Sequence, residues 1–358
     1  MAGRGRGASG NPEGRFETVT RECADDGWGL DPDADATRPA TVVTPEVARS
    51  IITRNASPDV PFTQSINPYQ GCEHGCIYCY ARPSHAYQGL SPGIDFETRI
   101  FAKVNAAELL RSELSRPGYR CEVIALGANT DPYQPPERAL VITRGIIEVL
   151  AEASHPFGIV TKNALVERDI DLLAPLAARN LCTVYVSINS LDHDLARRLE
   201  PRCSAPRRRI EAIRRLSAAG IPVGVLVAPV IPFLTDHQIE PVLAAAREAG
   251  AQSAAYILMR LPYEVKGLFR DWLETHYPLK AAHVMSRVHA MRSGRDNDPS
   301  FGSRMRGTGV FADALAARFG IACRRLGFDT ARRNRTLDTT LFTVPRAASP
   351  SPQLDLFF

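Results

Sequence analysis

Three cysteines carry the most specific chemistry in this 358-residue chain. They stand in Cys72-Glu-His-Gly-Cys76-Ile-Tyr-Cys79, a C-x3-C-x2-C spacing. Three thiols on one loop cannot form a disulfide set, because one always stays unpaired. Zinc usually takes C-x2-C elements with a second pair elsewhere in the chain. No second pair exists here, although His74 and His85 are near in sequence. Thiolates suit iron–sulfur clusters, which are normally held by four. Three ligands leave one iron open to an exogenous group, which points to chemistry rather than simple electron storage. The other five cysteines (23, 121, 182, 203 and 323) are scattered. They read as bystanders, Cys203 and Cys323 as buried apolar fillers.

The elements that must position this loop follow from periodicity. Apolar residues make up 44% and charged residues 23% of the chain, as in soluble globular proteins. No apolar run approaches the ~20 residues of a membrane helix. Met1–Gly10 is Gly/Arg-rich rather than leader-like. The expectation is a cytoplasmic protein with reduced thiols and no membrane partner. Residues 1–60 read as a peripheral N-terminal extension: Gly3–Gly10 is a basic arm, and Asp25–Ala40 carries five Asp. From Pro61 short apolar runs alternate with amphipathic stretches. Predicted strands are Ser65–Pro68, Glu122–Leu126, Phe157–Thr161, Cys182–Ile188, Val223–Ala228 and Ser253–Leu258. Predicted helices are Ala106–Leu114, Ala139–Ala153, Glu167–Arg179, Arg207–Ala219 and Ile239–Ala249. Strand–helix alternation repeated six times means parallel strands with right-handed crossovers. The fold class is α/β, an open, partial (β/α)6 TIM-like barrel over residues 61–260. Chemistry in such folds gathers at the C-terminal strand ends. A helical, basic extension follows over 261–343, then a Pro/Ser-rich linker and tail over 344–358.

The cysteine spacing, Tyr78 just before the third cysteine and the six β/α units resemble the radical S-adenosylmethionine (SAM) superfamily. The resemblance implies a radical SAM enzyme in which Cys72, Cys76 and Cys79 hold a [4Fe–4S] cluster. It also implies that SAM ligates the open iron and is split to a 5′-deoxyadenosyl radical, with electrons from a reductant such as flavodoxin or ferredoxin. Asn67-Pro-Tyr-Gln-Gly-Cys72, Ala81-Arg-Pro-Ser-His-Ala-Tyr87 and Asn129-Thr-Asp-Pro-Tyr-Gln-Pro135 are similar to the spore photoproduct lyase-like group, often labelled DNA repair photolyase.

That resemblance assigns cofactor-facing roles to strand ends. The second strand ends in Gly127-Ala-Asn129-Thr130-Asp131, where Asn129 and Asp131 would accept from the SAM amino group. Lys162, at the third strand end, offers a cation for the SAM carboxylate or a substrate phosphate. Ser187, ending the fourth, matches a ribose-contacting position, and Tyr78 completes the cofactor set. One departure concerns the hydrogen donor: the group's repair enzyme uses a cysteine near its second strand, and Ala125–Thr130 has none. Cys121 and Cys182 fall at the opposite strand ends. Tyr87 and Tyr133 are the candidate replacements for that donor.

The net charge of +4 conceals local segregation. Pro201–Gly220 holds six Arg against one Glu, and Phe301–Arg346 nine Arg against three Asp. Arg207, Arg208, Arg304 and Arg306 are the nucleic-acid-binding candidates; a merely solvated helix face is the competing reading. The tail Gln353-Leu354-Asp355-Leu356-Phe357 resembles the peptide by which bacterial repair proteins dock on the DNA sliding clamp. There Leu356 and Phe357 would fill an apolar pocket while Gln353 and Leu354 flank it. The expected function is radical SAM chemistry on DNA, as repair or base modification, with clamp recruitment. The alternatives are modification of RNA or protein, and a non-enzymatic iron–sulfur DNA-binding or redox-sensing protein.

Overall fold

In the computed structural model, residues 5–16, 39–328 and 337–345 are described. The clamp-like residues Gln353, Leu354, Leu356 and Phe357 lie outside them. Six parallel strands form the scaffold: β1 (Gln64–Ile66), β2 (Ile124–Leu126), β3 (Phe157–Thr161), β4 (Cys182–Ser187), β5 (Val223–Val230) and β6 (Ser253–Leu258). They pair in sequence order, with Gln64 opposite Ile124, Ile124 opposite Phe157, Phe157 opposite Cys182, Val184 opposite Val223 and Gly224 opposite Ser253. An antiparallel strand, Ile52–Arg54, covers the outer edge of β1. Among the described residues no pairing joins that edge to β6, so the barrel is open.

The buried faces explain the order. Val184, Val186, Val223, Val225, Val227, Ile159 and Leu126 are all at most 1% exposed and pack in one core with Ile146, Leu150, Leu173, Leu216 and Leu243. The last five come from the crossover helices α2 (Ile142–Glu152), α3 (Ile170–Ala178), α4 (Pro206–Ala218) and α5 (Ile239–Glu248), with α1 (Ala106–Leu114) preceding them. Apolar runs on parallel strands are what a sheet covered by helices requires. A second apolar cluster joins α6 (Val265–His276) and α7 (Pro278–Ala290) to the cysteine loop through Ile77, Phe269 and Trp272. Helix α8 (Val310–Arg325) packs on the first core through Leu315 and Phe319.

Three local differences from the periodicity stand out. The helix expected over Ala139–Ala153 breaks at Val141, which takes a left-handed φ of 57° and separates the Glu137–Leu140 turn from α2. A small sheet of Val42–Glu46, Arg99–Lys103 and Tyr69–Gln70 stands beside the barrel; its strands are too short and too dispersed for a periodic signal. Residues 5–16, which include most of the Gly3–Gly10 basic arm, pack against the molecule: Arg6 is 8% and Ala8 0% exposed. No helix among the described residues is long and apolar enough to cross a membrane.

Two buried histidines give the fold a pH dependence. Burial pushes both His85 and His155 down to about 4 from an ordinary 6.5. His85 packs edge-on to Phe96, and His155 to Phe342. Both are neutral when folded and gain protons on unfolding, so this stability is complete above pH 6.5 and is lost as pH falls toward 4. Denaturant midpoints should drop between pH 7 and 5. In His155→Phe the pH slope should shrink by the share of one proton; an unchanged slope contradicts the assignment.

Candidate active site

The cysteine loop leaves the C-terminal end of β1 and is clasped from three sides. Gly71 and Gly75 take left-handed φ values of 75° and 66°, turning the chain back on itself. The Arg82 guanidinium, fully buried, donates through Nε to the Cys76 carbonyl (2.9 Å) and through Nη2 to Gly75 (3.0 Å). Its Nη1 donates to the carbonyls of Pro92 and Gly93. Its counter-ion is Glu97, also 0% exposed, at 2.5 Å. The same carboxylate accepts the backbone N–H of Gly7 (2.9 Å) and Ala8 (2.8 Å). A Cβ at Gly7 would stand 1.9 Å from the Gly75 carbonyl oxygen, so only glycine permits this approach. The N-terminal residues therefore complete the cysteine loop.

The stretches 67–72 and 129–135 form one interlocked unit. Asn67 Oδ1 accepts the Asn129 N–H (2.8 Å), and the Thr130 hydroxyl donates to the Tyr69 carbonyl (2.6 Å). Gln134 accepts from the Glu73 N–H and donates to the Gly71 carbonyl. Gly127, with φ 85°, ends β2; a Cβ there would meet the Val160 carbonyl at 2.5 Å.

Asp131 is a brace between this unit and β3. Its carboxylate receives the Tyr133 N–H (2.9 Å), the Thr161 hydroxyl (2.7 Å), the Lys162 N–H (2.7 Å) and His74 Nδ1 (3.3 Å). Those four contacts match the number of a carboxylate's lone-pair positions and fix Asp131 between the two strand ends. Burial lowers the His74 pKa, but Asp131 and the Cys72 thiol outweigh it and carry it well above its ordinary value. The Asn163 amide nitrogen, 3.1 Å from His74 Nε2, needs that nitrogen as an acceptor and pulls the other way. A proton on Nδ1 toward Asp131 is common to both.

Tyr78, Lys162 and Ser187 converge on a second network around Glu200. Lys162 Nζ donates to the Ser187 hydroxyl (2.5 Å) and the Ala228 carbonyl (3.3 Å), and lies 3.8 Å from Glu200. Tyr78 and Arg209 also bond the buried Glu200 carboxylate. Burial raises Glu200, but Arg209 and Lys162 prevail and hold it below the usual carboxylate range; burial and then Glu200 raise Tyr78, which stays protonated. Lys162 and Ser187 are thus hydrogen-bonded to each other at the ends of β3 and β4. Asn129, at the β2 end, keeps a side chain with no bonded partner among the described residues.

The donor set fits a thiolate-held iron–sulfur cluster. Cys72 and Cys76 are buried and Cys79 partly so. Burial, and then the two neighbouring thiols, push Cys79 up to about 12, the signature of three thiols crowded in a low-dielectric pocket. Among the described residues no three ligand side chains converge on a single-ion position. A cubane does not require that, since each thiolate binds a different iron. Cys203, expected as a filler, instead lies 3.7 Å from Cys76, sulfur to sulfur. Cys182 is a true filler, its thiol on the Leu173 carbonyl. Tyr133 is buried with its hydroxyl on Asp169, and Tyr87 is exposed beside Phe16. Tyr80 instead bonds the Ala128 carbonyl at the end of β2.

The expected nucleic-acid arginines divide. Arg207 and Arg208 begin α4, on the strand C-terminal side; Arg207 is exposed and Arg208 makes a solvent-facing pair with Glu167 (3.3 Å). Arg306 is exposed. Arg304, 17% exposed, is paired to Asp59 at 2.5 Å and bonds Ser57. Met305 accepts from Leu258 at the end of β6. The segment 302–305 thereby links β6 to the loop before β1, across the open side of the barrel.

The radical SAM superfamily profile matches residues 66–246. This chain belongs to the radical SAM superfamily. It is an enzyme of the family's chemistry, using a [4Fe–4S] cluster and SAM. An uncharacterized protein of Mycobacterium tuberculosis is 38% identical over 250 residues, covering 69% of this chain and 72% of that one. An uncharacterized protein of Methanocaldococcus jannaschii is 27% identical over 213 residues, 60% of this chain and 76% of the other. Spore photoproduct lyase complexed with dinucleoside spore photoproduct shares the fold, with a TM-score of 0.56 at 18% identity over 80% of each chain.

Glu97→Ala should destabilise the protein by about 3–5 kcal/mol, because it leaves Arg82 charged and unpaired in the interior. Urea unfolding of the apoprotein measures this. A loss under 1 kcal/mol would show that Arg82 finds another counter-ion.

Proposed function

We propose that this protein is a radical SAM enzyme acting on DNA, recruited to its work by the sliding clamp. Cys72, Cys76 and Cys79 hold the cluster, and Asn129 accepts from the SAM amino group. The cluster, when bound, supplies the electron that cleaves SAM and so starts hydrogen abstraction from substrate. The Glu97–Arg82 pair sets the backbone of the cysteine loop, Asp131 fixes that loop against β3, and Glu200 pairs with Arg209 and Lys162 beside it. Arg207, Arg208 and Arg306 supply exposed positive charge for nucleic acid, with a flavodoxin or ferredoxin as reductant.

The observation that carries this reading is a three-thiol loop at the C-terminal ends of six parallel strands, flanked by exposed arginines. DNA as substrate draws support from the fold shared with spore photoproduct lyase. Thymine-dimer reversal itself is not carried over, since the β2 end offers the Tyr80 hydroxyl and no thiol.

Anaerobic reconstitution with reductant, SAM and defined oligonucleotides should release 5′-deoxyadenosine, with deuterium passing from labelled DNA into it. Cys76→Ala should abolish the cluster's iron content and this release. Production that is equal with RNA or peptide and unaffected by DNA would replace DNA as the substrate class. Deleting Leu354–Phe358 should abolish capture on immobilised sliding clamp while leaving iron content unchanged; retained capture removes the clamp from the reading.

A further inference from the structure

Three guanidinium groups meet where β6 ends, and their partners are unequal. Arg304 is neutralised by Asp59, which also accepts the Gly302 N–H. Arg292, 1% exposed, donates to the backbone carbonyls of Ser303 (3.0 Å) and Met259 (2.8 Å). Arg260, two residues past Leu258, has no carboxylate. Among the described residues its Nη1 reaches only the Met305 sulfur, 3.6 Å away and a weak acceptor. The Nε atoms of both Arg260 and Arg292 are sealed from water with no partner among the described residues. The remaining acid, Asp298, is taken by Ser303 and the Ser300 N–H. Burial and then Arg304 lower the Arg260 pKa, as expected of a cation lacking its anion.

What surrounds Arg260 narrows the missing anion. Its Cζ lies 5.7 Å from the ring centroid of Tyr80, the residue after Cys79, and that ring is 48% exposed. Beside it, Arg304 lies 4.6 Å over Phe301, 60% exposed. Open aromatic rings backed by guanidinium groups are the pattern that stacks bases and neutralises phosphates of a single strand. A half-buried guanidinium with a sealed, unbonded Nε gains when an oxyanion completes its bonding.

We propose that Arg260 anchors a phosphodiester of a single-stranded or extruded DNA segment at the barrel mouth, with Tyr80 and Phe301 as its base-stacking rings. This rests on DNA being the substrate class. The Asp59–Arg304 pair closes the site toward the open side of the barrel, and Arg292 holds the Met259–Ser303 backbone that carries Arg260.

The test is fluorescence anisotropy of a short single-stranded oligodeoxynucleotide with the full-length protein across a salt series. Wild type should show affinity falling with salt, and Arg260→Gln should reduce the slope of log K against log[salt] by about 0.7, one single-strand phosphate. Arg260→Lys should restore the slope. SAM affinity, by equilibrium dialysis, should be the same in all three. An unchanged slope in Arg260→Gln overturns the proposal. So does a selective loss of SAM affinity, which would assign the guanidinium to the SAM carboxylate. A second arm scans neutral methylphosphonate linkages with wild-type protein and so does not depend on the variant folding. One linkage should weaken binding, and no sensitive linkage overturns the site. Salt-independent DNA binding by wild type would instead defeat the DNA reading itself.

Discussion

A single buried carboxylate organises the site. Glu97 is the point where the Arg82 guanidinium, the N-terminal backbone and the glycine turn of the cysteine loop meet. Ions this deep in a protein are tolerated only when every lone pair and every donor is occupied. Arg82 distributes its other donors over four backbone carbonyls, two of them in the cysteine loop. The thiol geometry is therefore imposed by the loop's backbone, which is fixed by hydrogen bonds, and not by contacts among the sulfurs.

The same logic extends along the strand ends. Asp131 and Glu200 each gather donors from different strands, so the polar residues there mainly hold one another. A preorganised mouth of this kind keeps its dipoles oriented before a ligand arrives. Its specificity then lies with the few groups left uncommitted. Asn129 is one on the β2 side and Arg260 another on the β6 side, with the Tyr80 ring between the cysteine loop and Arg260.

The scaffold was legible because its signals are local. The runs 157–161 and 253–258 appear as strands with the expected bounds, since a buried parallel strand bounded by turn residues is readable in a few residues. Cys72, Cys76 and Cys79 were legible by spacing. The partnerships of Asp131, Lys162 and Ser187 were not, because a residue type at a strand end says nothing of which donors reach it. Glu97 and Glu200 carried no signal, since their partners lie up to 122 residues away. The packing of the arm at 5–16 was not legible, because Gly and Arg are common in exposed segments. Here the glycine provides close approach, and Arg6 bonds the Glu97, Pro39 and Thr41 oxygens. Arg260 drew no notice in a chain with many arginines; what distinguishes it is a missing partner, which only coordinates reveal.

The clasp between Gly7 and Glu97 also orders events in time. Its two halves are separated by ninety residues, and translation adds roughly 5–20 residues per second. The first residues must then wait on the order of 5–20 s before the carboxylate that receives them exists. For the last part of that interval, roughly 1–5 s, Cys72, Cys76 and Cys79 are already synthesised but unframed, open to oxidation or to stray metal. A chain of this design gains from a cell that keeps its nascent thiols reduced and delivers iron late.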